Sequence, residues 1–439
     1  MKKLGLIVLV THLLGGAAAA QSGATYYVAT NGNDSYSCSQ AQSLFTPKRS
    51  VSNAVRCLQP GATLLVRGGT YAEGLIQPPL FGTSWSNKIR IAAYPGETVW
   101  LAPPASYTNV WIIDLQSSET YVEFDGINLD GRAPSTLTMG GIHVHGGYAA
   151  GGDNTPAHHI RFMNAEIVMR PGTSSTVTGN DAMGVDLNGI DFGFNEILNV
   201  TIHGSAGPNA DYGMYIHSSD NVMDRMEIYD QGLQGIQIYQ GGGLPVPSRN
   251  IIRNSRIHDI NTGYVNGRNG ILISGNNNQI YNNVIYNINA DGSADPSASH
   301  AITVYGGVNN QILNNTIANN RAIAISTDPN VGSTLIANNI AYGNGGDGIV
   351  DNGTGTLLGP NDFGTDPGFV DATQGNFQLR LGSVAIDAGT AYSIVPTDAA
   401  GVSRPQGAAY DLGAYELTSV IVQVPPQAPT GVQVVQSAP

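Results

Sequence analysis

The sequence predicts an all-β solenoid of parallel strands, and two interleaved repeats and a column of asparagines carry the prediction. The first repeat is Gly-Ile-X-Ile/Val-X. It occurs at Gly141–His145, Gly184–Asn188, Gly213–His217, Gly235–Tyr239, Gly270–Ser274, Ala301–Tyr305, Ala322–Ser326 and Gly348–Asn352. Apolar residues alternate with variable ones, so each copy reads as a short strand with one buried face. Repetition at this period implies stacked units that share one long core. The second repeat, Asn-X-Ile-X-Asn-Asn-X-Ile, spans Asn278–Ile285 and Asn310–Ile317, and with substitutions Asn221–Ile228 and Asn250–Ile257. Its alignment puts Asn164, Asn199, Asn254, Asn282 and Asn314 in one column, with Gly126, Arg225 and Ala337 where Asn is missing. Asn tolerates left-handed backbone angles and bonds the backbone of its own turn, so the column marks a turn. The unit is strand, Asn turn, strand, variable loop, strand, and each coil can bury its apolar face only against its neighbours.

The elements follow in order. Residues 1–20 hold Met1-Lys2-Lys3, an apolar run and Ala17–Ala20, which reads as a secretory signal peptide cut near Ala20. Residues 21–62 read as an N-terminal cap of strand, loop and short helix, the helix over Ser52–Leu58. An exported chain sits where disulfides form, so Cys38 and Cys57 read as one bridge pinning the cap. Coils fill residues 63–416, and 417–439, with Val424-Pro425-Pro426, read as an extended tail or linker.

Two end motifs are specific. One is Tyr26–Asp34 with Ser50–Val55 and Gly61–Tyr71. The other is Asp366–Asp371, Ala385–Gly389 and Arg404–Gly407 with Asp411–Glu416. With the repeats, they make residues 24–416 resemble the secreted bacterial right-handed parallel β-helix proteins of the pectate-lyase-like group. The resemblance implies a single-stranded right-handed parallel β-helix with an N-terminal cap and a C-terminal closing coil. It does not choose a reaction, because one fold hosts many chemistries.

Composition narrows the partners. Glycine is 56 of 439 residues, which suits coils that bend three times, and the formal charge is −13, or −15 without Lys2 and Lys3. An acidic chain disfavours nucleic acid and anionic membranes. A polysaccharide remains the expected partner, an anionic one included, because a local Arg or bound cation can reverse the field in a groove. The chain is expected to act as a monomer without a membrane span.

In each pentapeptide the second and fourth residues point inward and the third and fifth outward. The third column reads His143, Asp186, Tyr215, Gln237, Leu272, Thr303, Ala324, Val350. The fifth reads His145, Asn188, His217, Tyr239, Ser274, Tyr305, Ser326, Asn352. Tyr212, Gln234, Asn269, His300, Arg321 and Asp347 precede the strands. Adjacent strands lie about 4.8 Å apart, so neighbours in a column can flank one ligand. The first four coils offer titratable and amide groups where later coils offer Leu, Thr, Ala and Val. Tyr and His supply flat faces for sugars and groups for proton transfer. The blander reading is that these side chains only pack coil on coil. His158, His159, His203 and His258 lie off the columns and read as structural.

The sharp reading is a polysaccharide lyase acting by β-elimination on a uronic-acid polymer. That chemistry needs a base for the C5 proton, an acid for the leaving oxygen and a cation for the carboxylate. Tyr215 and His217 are the expected acid–base pair, with Asp186 tuning a histidine and His143 as alternate partner. His145, Asn188, Gln237, Tyr239, Arg268, His300 and Tyr305 are expected to bind substrate, Arg268 by neutralising its carboxylate. The stretch Tyr212-Gly213-Met214-Tyr215-Ile216-His217 resembles the Tyr-Gly-Phe-Asp-Pro-His of mannuronan C5-epimerases at Tyr212, Gly213 and His217, with Tyr215 where the acid stands there. Many lyases of the group use a Lys base, and this chain has no Lys on its central coils. Epimerase, glycoside hydrolase and non-catalytic glycan binding are the alternatives. A metal site of His143, Asp186 and His145 is geometrically conceivable, but no pattern of supporting hydrogen-bond partners behind those ligands is legible in the sequence. Calcium is a candidate cofactor, with Asn361, Asp362 and Asp366 in an acidic loop.

Overall fold

The computed structural model describes residues 23–418 except 117–118, 135–139, 147–155, 172–181, 190–192, 207–210, 241–244, 261–266, 290–291, 293–298, 322 and 347. The expected signal peptide and most of the expected tail lie outside these residues, as do most of the longer loops and Asp347. Among the described residues no helix is long and apolar enough to cross a membrane.

The strands stack into three parallel faces. The first runs from Leu75–Ile76 through Trp111–Leu115, Gly140–Gly146, Met183–Gly189, Tyr212–Ile216, Gln234–Ile238, Asn269–Ser274, His300–Val308 and Ile325–Thr327 to Ile349–Asp351. The second runs from Thr25–Val28 to Leu357–Leu358, and the third from Gly69–Tyr71 to Asp362–Phe363. The second and third are joined where His158–Val168 bends through both. The core runs down the middle: Ile142, Val185, Met214, Ile236, Ile271 and Ile302 are each fully buried.

The repeated glycine has a packing cause. A Cβ on Gly184, Gly213 or Gly235 would lie 2.3, 2.6 or 2.5 Å from the Cγ2 of Ile202, Ile228 or Ile257 on the third face. Those glycines therefore face inward, and the residue before each, Tyr212 among them, faces out.

The three asparagines of the second repeat form one turn and two buried ladders. The fifth position is the left-handed turn: Asn254, Asn282 and Asn314 have φ of 53°, 57° and 52°. The first position is buried, where Asn221 Nδ2 donates to Asn250 Oδ1 at 2.9 Å and Asn278 Nδ2 to Asn310 Oδ1 at 3.1 Å. The sixth is a second buried ladder, with Asn283 Nδ2 to Asn315 Oδ1 and Asn315 Nδ2 to Asn339 Oδ1 both at 3.0 Å. Each amide satisfies its neighbour in the next coil, so the polar groups are buried with partners.

Three details differ from the sequence reading. Thr303 pairs with Ser326, not Ala324, so the seventh copy slides by two residues and Ala324 takes the glycine position. In the turn column Asn338, with φ 58°, follows Asn314, so Ala337 is one residue off. The cap helix is α-helical over Val51–Ala54 and 3-10 over Val55–Cys57. Cys38 and Cys57 are disulfide-bonded, as expected.

Candidate functional site

The first face assembles most of the expected cluster. His143 pairs in register with Asp186, Asp186 with Tyr215, and Tyr215 with Gln237. His145 pairs with Asn188. Tyr215 and His217 are in contact, with ring centroids 4.2 Å apart, and Tyr212 stacks on Tyr215 at 5.1 Å with planes 10° apart. The third column is not an open ladder: His143, Asp186 and Gln237 are buried, while Tyr215, His217, His145, Asn188 and Tyr239 are partly exposed. Tyr215 and His217, which follow Asp186 in the stack, are both partly exposed and in contact, so they can meet a ligand.

Burial sets the electrostatics. It pushes the Asp186 carboxyl up from its ordinary range, against the opposing pull of His143, His217 and His145. It pushes His217 and His145 down, His145 further because of His143, and the pull of Asp186 only partly offsets this. Asp186 Oδ1, Asn188 Oδ1 and His217 Nδ1 are buried without a hydrogen-bond partner among the described residues. Unpaired buried polar atoms are costly and cluster where a site meets its ligand.

Three expected substrate contacts lie outside the cluster of His143, Asp186 and Tyr215. Arg268 is fully buried, its Nη1 donating to Asn289 Oδ1 at 3.2 Å, so it faces the interior and does not present its charge to a substrate. His300 is on the same sheet but pairs with Asn269 in the column before the strands, and burial pushes its imidazole down. Tyr305 is displaced by a bulge, because Ser274 pairs with Gly306; it is 48% exposed, 6.1 Å from Tyr239 between ring centroids.

Asp114 was missed. It pairs in register with His143, and His143 Nδ1 lies 2.9 Å from its Oδ1. Trp111 of the same strand stacks on the His143 ring at 4.6 Å. The strand reads Ile112-Ile113-Asp114-Leu115, with Ile112 where the repeat has glycine, and that substitution hid it. Alternation of Ile113, Asp114 and Leu115 was the usable signal. Among the described residues no group of three or more His, Cys, Asp or Glu is arranged to hold a metal ion.

A family model described as a right-handed β-helix region matches residues 190–363. No curated protein matches the chain. Among solved structures, the chain is similar to pectate lyase Pel9A at TM-score 0.60 and 18% identity, covering 89% of this chain and 96% of that one. It is similar to XylC in complex with xylose at TM-score 0.50 and 11% identity, covering 90% and 99%. It is also similar to a GH136 lacto-N-biosidase from Eubacterium ramulus at TM-score 0.50 and 11% identity, covering 77% and 67%. At these identities the likenesses show the fold alone.

Proposed function

We propose that this right-handed β-helix protein of the pectate-lyase-like group is carbohydrate-active, and that it cleaves a uronic-acid polysaccharide by β-elimination on its first face. The observation that carries the reading is the contact of Tyr215 with His217 beside a buried Asp186. A histidine held below its ordinary range is unprotonated at neutral pH and suits the base that takes the C5 proton. The Tyr215 hydroxyl is the acid for the leaving oxygen. A carboxyl held above its ordinary range adds less negative charge against a uronate. Lyases that act on pectate share the fold, which supports the substrate class by analogy.

The burial of Arg268 favours a second reading. Without it, the described residues of this cluster supply no arginine or lysine for a substrate carboxylate, so a neutral glycan that is bound or hydrolysed fits the same groove. Incubating the purified protein with alginates, pectates and glycosaminoglycans decides between them. Ultraviolet absorbance of unsaturated uronate is the expected result. Reducing ends without that absorbance indicate a hydrolase, uronate inversion without cleavage an epimerase, and retained binding without any product a non-catalytic glycan binder.

A further inference from the structure

Asp114 belongs to no expected set, yet it is the most constrained group beside the site. It is 5% exposed. Its Oδ2 accepts from Gln116 Nε2 at 2.7 Å, and Gln116 Oε1 in turn accepts from Gln77 Nε2 at 2.5 Å. Its Oδ1 takes the His143 Nδ1 contact at 2.9 Å. In the Nδ1–H form of the ring, Nδ1 donates to that carboxyl oxygen. The ring is clamped against rotation by the Trp111 stack, with planes 18° apart. Nε2 then points at the next coil, where Asp186 Oδ2 lies 3.7 Å away.

We infer that Asp114 is a positioning residue that fixes His143 in its Nδ1–H form and turns Nε2 toward Asp186, so that Asp186 retains one proton beside it. With Nδ1 occupied, a bare Nε2 would present a lone pair to an ionised carboxylate inside a buried site. One proton removes that repulsion. Held on Asp186, it leaves the carboxyl neutral and the trio at one negative charge; lost, it leaves two. The raised Asp186 is in keeping with this placement. The other titratable groups facing the pair are His145 on the strand of His143 and His217 beyond Asp186, both pushed down by burial, so neither readily takes the proton. Tyr215 pairs in register with Asp186 one strand further on, so Asp186 is placed to return a proton to the proposed acid after it protonates the leaving oxygen. The count closes over a turnover: Tyr215 gains what Asp186 gives, the C5 proton taken by His217 leaves to solvent, and solvent returns one proton to Asp186.

The inference rests on the catalytic reading of this face, but its first test needs no substrate. In the full chain labelled with 15N-histidine and 13C-aspartate, His143 is expected to carry its proton on Nδ1, and Asp186 to stay protonated above the ordinary carboxyl range. Asp114→Asn should abolish the Nδ1 preference and move the Asp186 titration down. Asp186→Asn should leave the Nδ1 preference intact, and it serves as the second variant if Asp114→Asn fails to fold by circular dichroism. An Nε2–H His143 in the wild type, an Asp186 titrating in the ordinary range, or a tautomer scrambled by Asp186→Asn would each overturn the proposal. On a polysaccharide that the wild type cleaves, Asp114→Asn should lower kcat on the order of a hundredfold with KM nearly unchanged. Absence of cleavage on every polyuronate would sink the lyase reading and leave the resonance result standing on its own.

Discussion

At the scale of single residues, the face is a set of groups whose protonation is set by burial. His217→Ala removes the proposed base, and product formation should fall by about 10²-fold or more with folding unchanged; a turnover assay with a melting curve as control checks both. The pH profile follows from the directions of shift. His217 is held below its ordinary value, so the base stays unprotonated and activity persists as pH falls past 6.5, failing only further down. Stability has a definite sign too. His145, His158, His217 and His300 are lowered by burial, and His159 is pushed down to about 4. Between those folded values and the ordinary histidine value, the unfolded chain binds protons that the fold does not. Stability is therefore lost as pH falls through that window. His258, where bonds to Asp259 and Glu227 outweigh burial, and the buried carboxyls of Asp186 and Glu416, both raised by burial, work in the opposite direction but are outnumbered by the lowered histidines. The melting midpoint should thus drop between pH 6.5 and 4, and a flat midpoint over that range would contradict the assigned burial.

At the scale of the coil, the fold is legible because its strongest constraints are local and repeat. The alternation and the asparagines are both chain-neighbour patterns, and both were read correctly in most coils. The errors arose where the constraint is between coils. Ala322–Ser326 looks like another pentapeptide, but pairing with Thr303 puts Ala324 in the glycine position. On the third face, Ala341 stands there at the position that Ile317 and Ile285 fill in earlier coils. Where alanine replaces glycine on one face, a smaller residue replaces isoleucine on the other, which no single strand discloses. Asp114 was lost for a related reason: Ile112 replaces the glycine, and Leu129 stands opposite where the next coil has Ile167. The pairing can be tested directly. Gly235→Ala places a methyl 2.5 Å from Ile257 Cγ2 and 2.6 Å from the Gly270 carbonyl. It should destabilise by about 1–3 kcal/mol as an overpacked site. Combined with Ile257→Ala, the loss should be smaller than the sum of the two single changes by about 0.5–3 kcal/mol, measured by denaturant unfolding as a double-mutant cycle.

At the scale of the molecule, the closing segment explains why the end motif is so specific. It docks on the asparagine column of the stack: Asn282 Nδ2 donates to the Thr397 carbonyl at 2.7 Å, Asn314 Nδ2 to that of Asp411 at 3.1 Å and Asn338 Nδ2 to that of Thr390 at 2.7 Å. Arg404 locks the arrangement. Its guanidinium donates to Glu416 Oε1 at 2.6 Å, to the Gly413 carbonyl at 2.8 Å and to Asn282 Oδ1 at 3.2 Å, and the Arg404 and Glu416 side chains are both fully buried. Removing one partner of such a pair strands the other charge, so Arg404→Ala should cost about 3–5 kcal/mol. In a solenoid each coil contacts mainly its neighbours, so that loss should stay regional. Hydrogen exchange should quicken in the coils of Asn282, Asn314 and Asn338, while the coils of Asp114 and His143, far from the closing segment in the stack, keep their protection. Uniform loss of protection along the whole stack would mean that the coils unfold as one cooperative unit and that the closing segment secures the distant site as firmly as its own end.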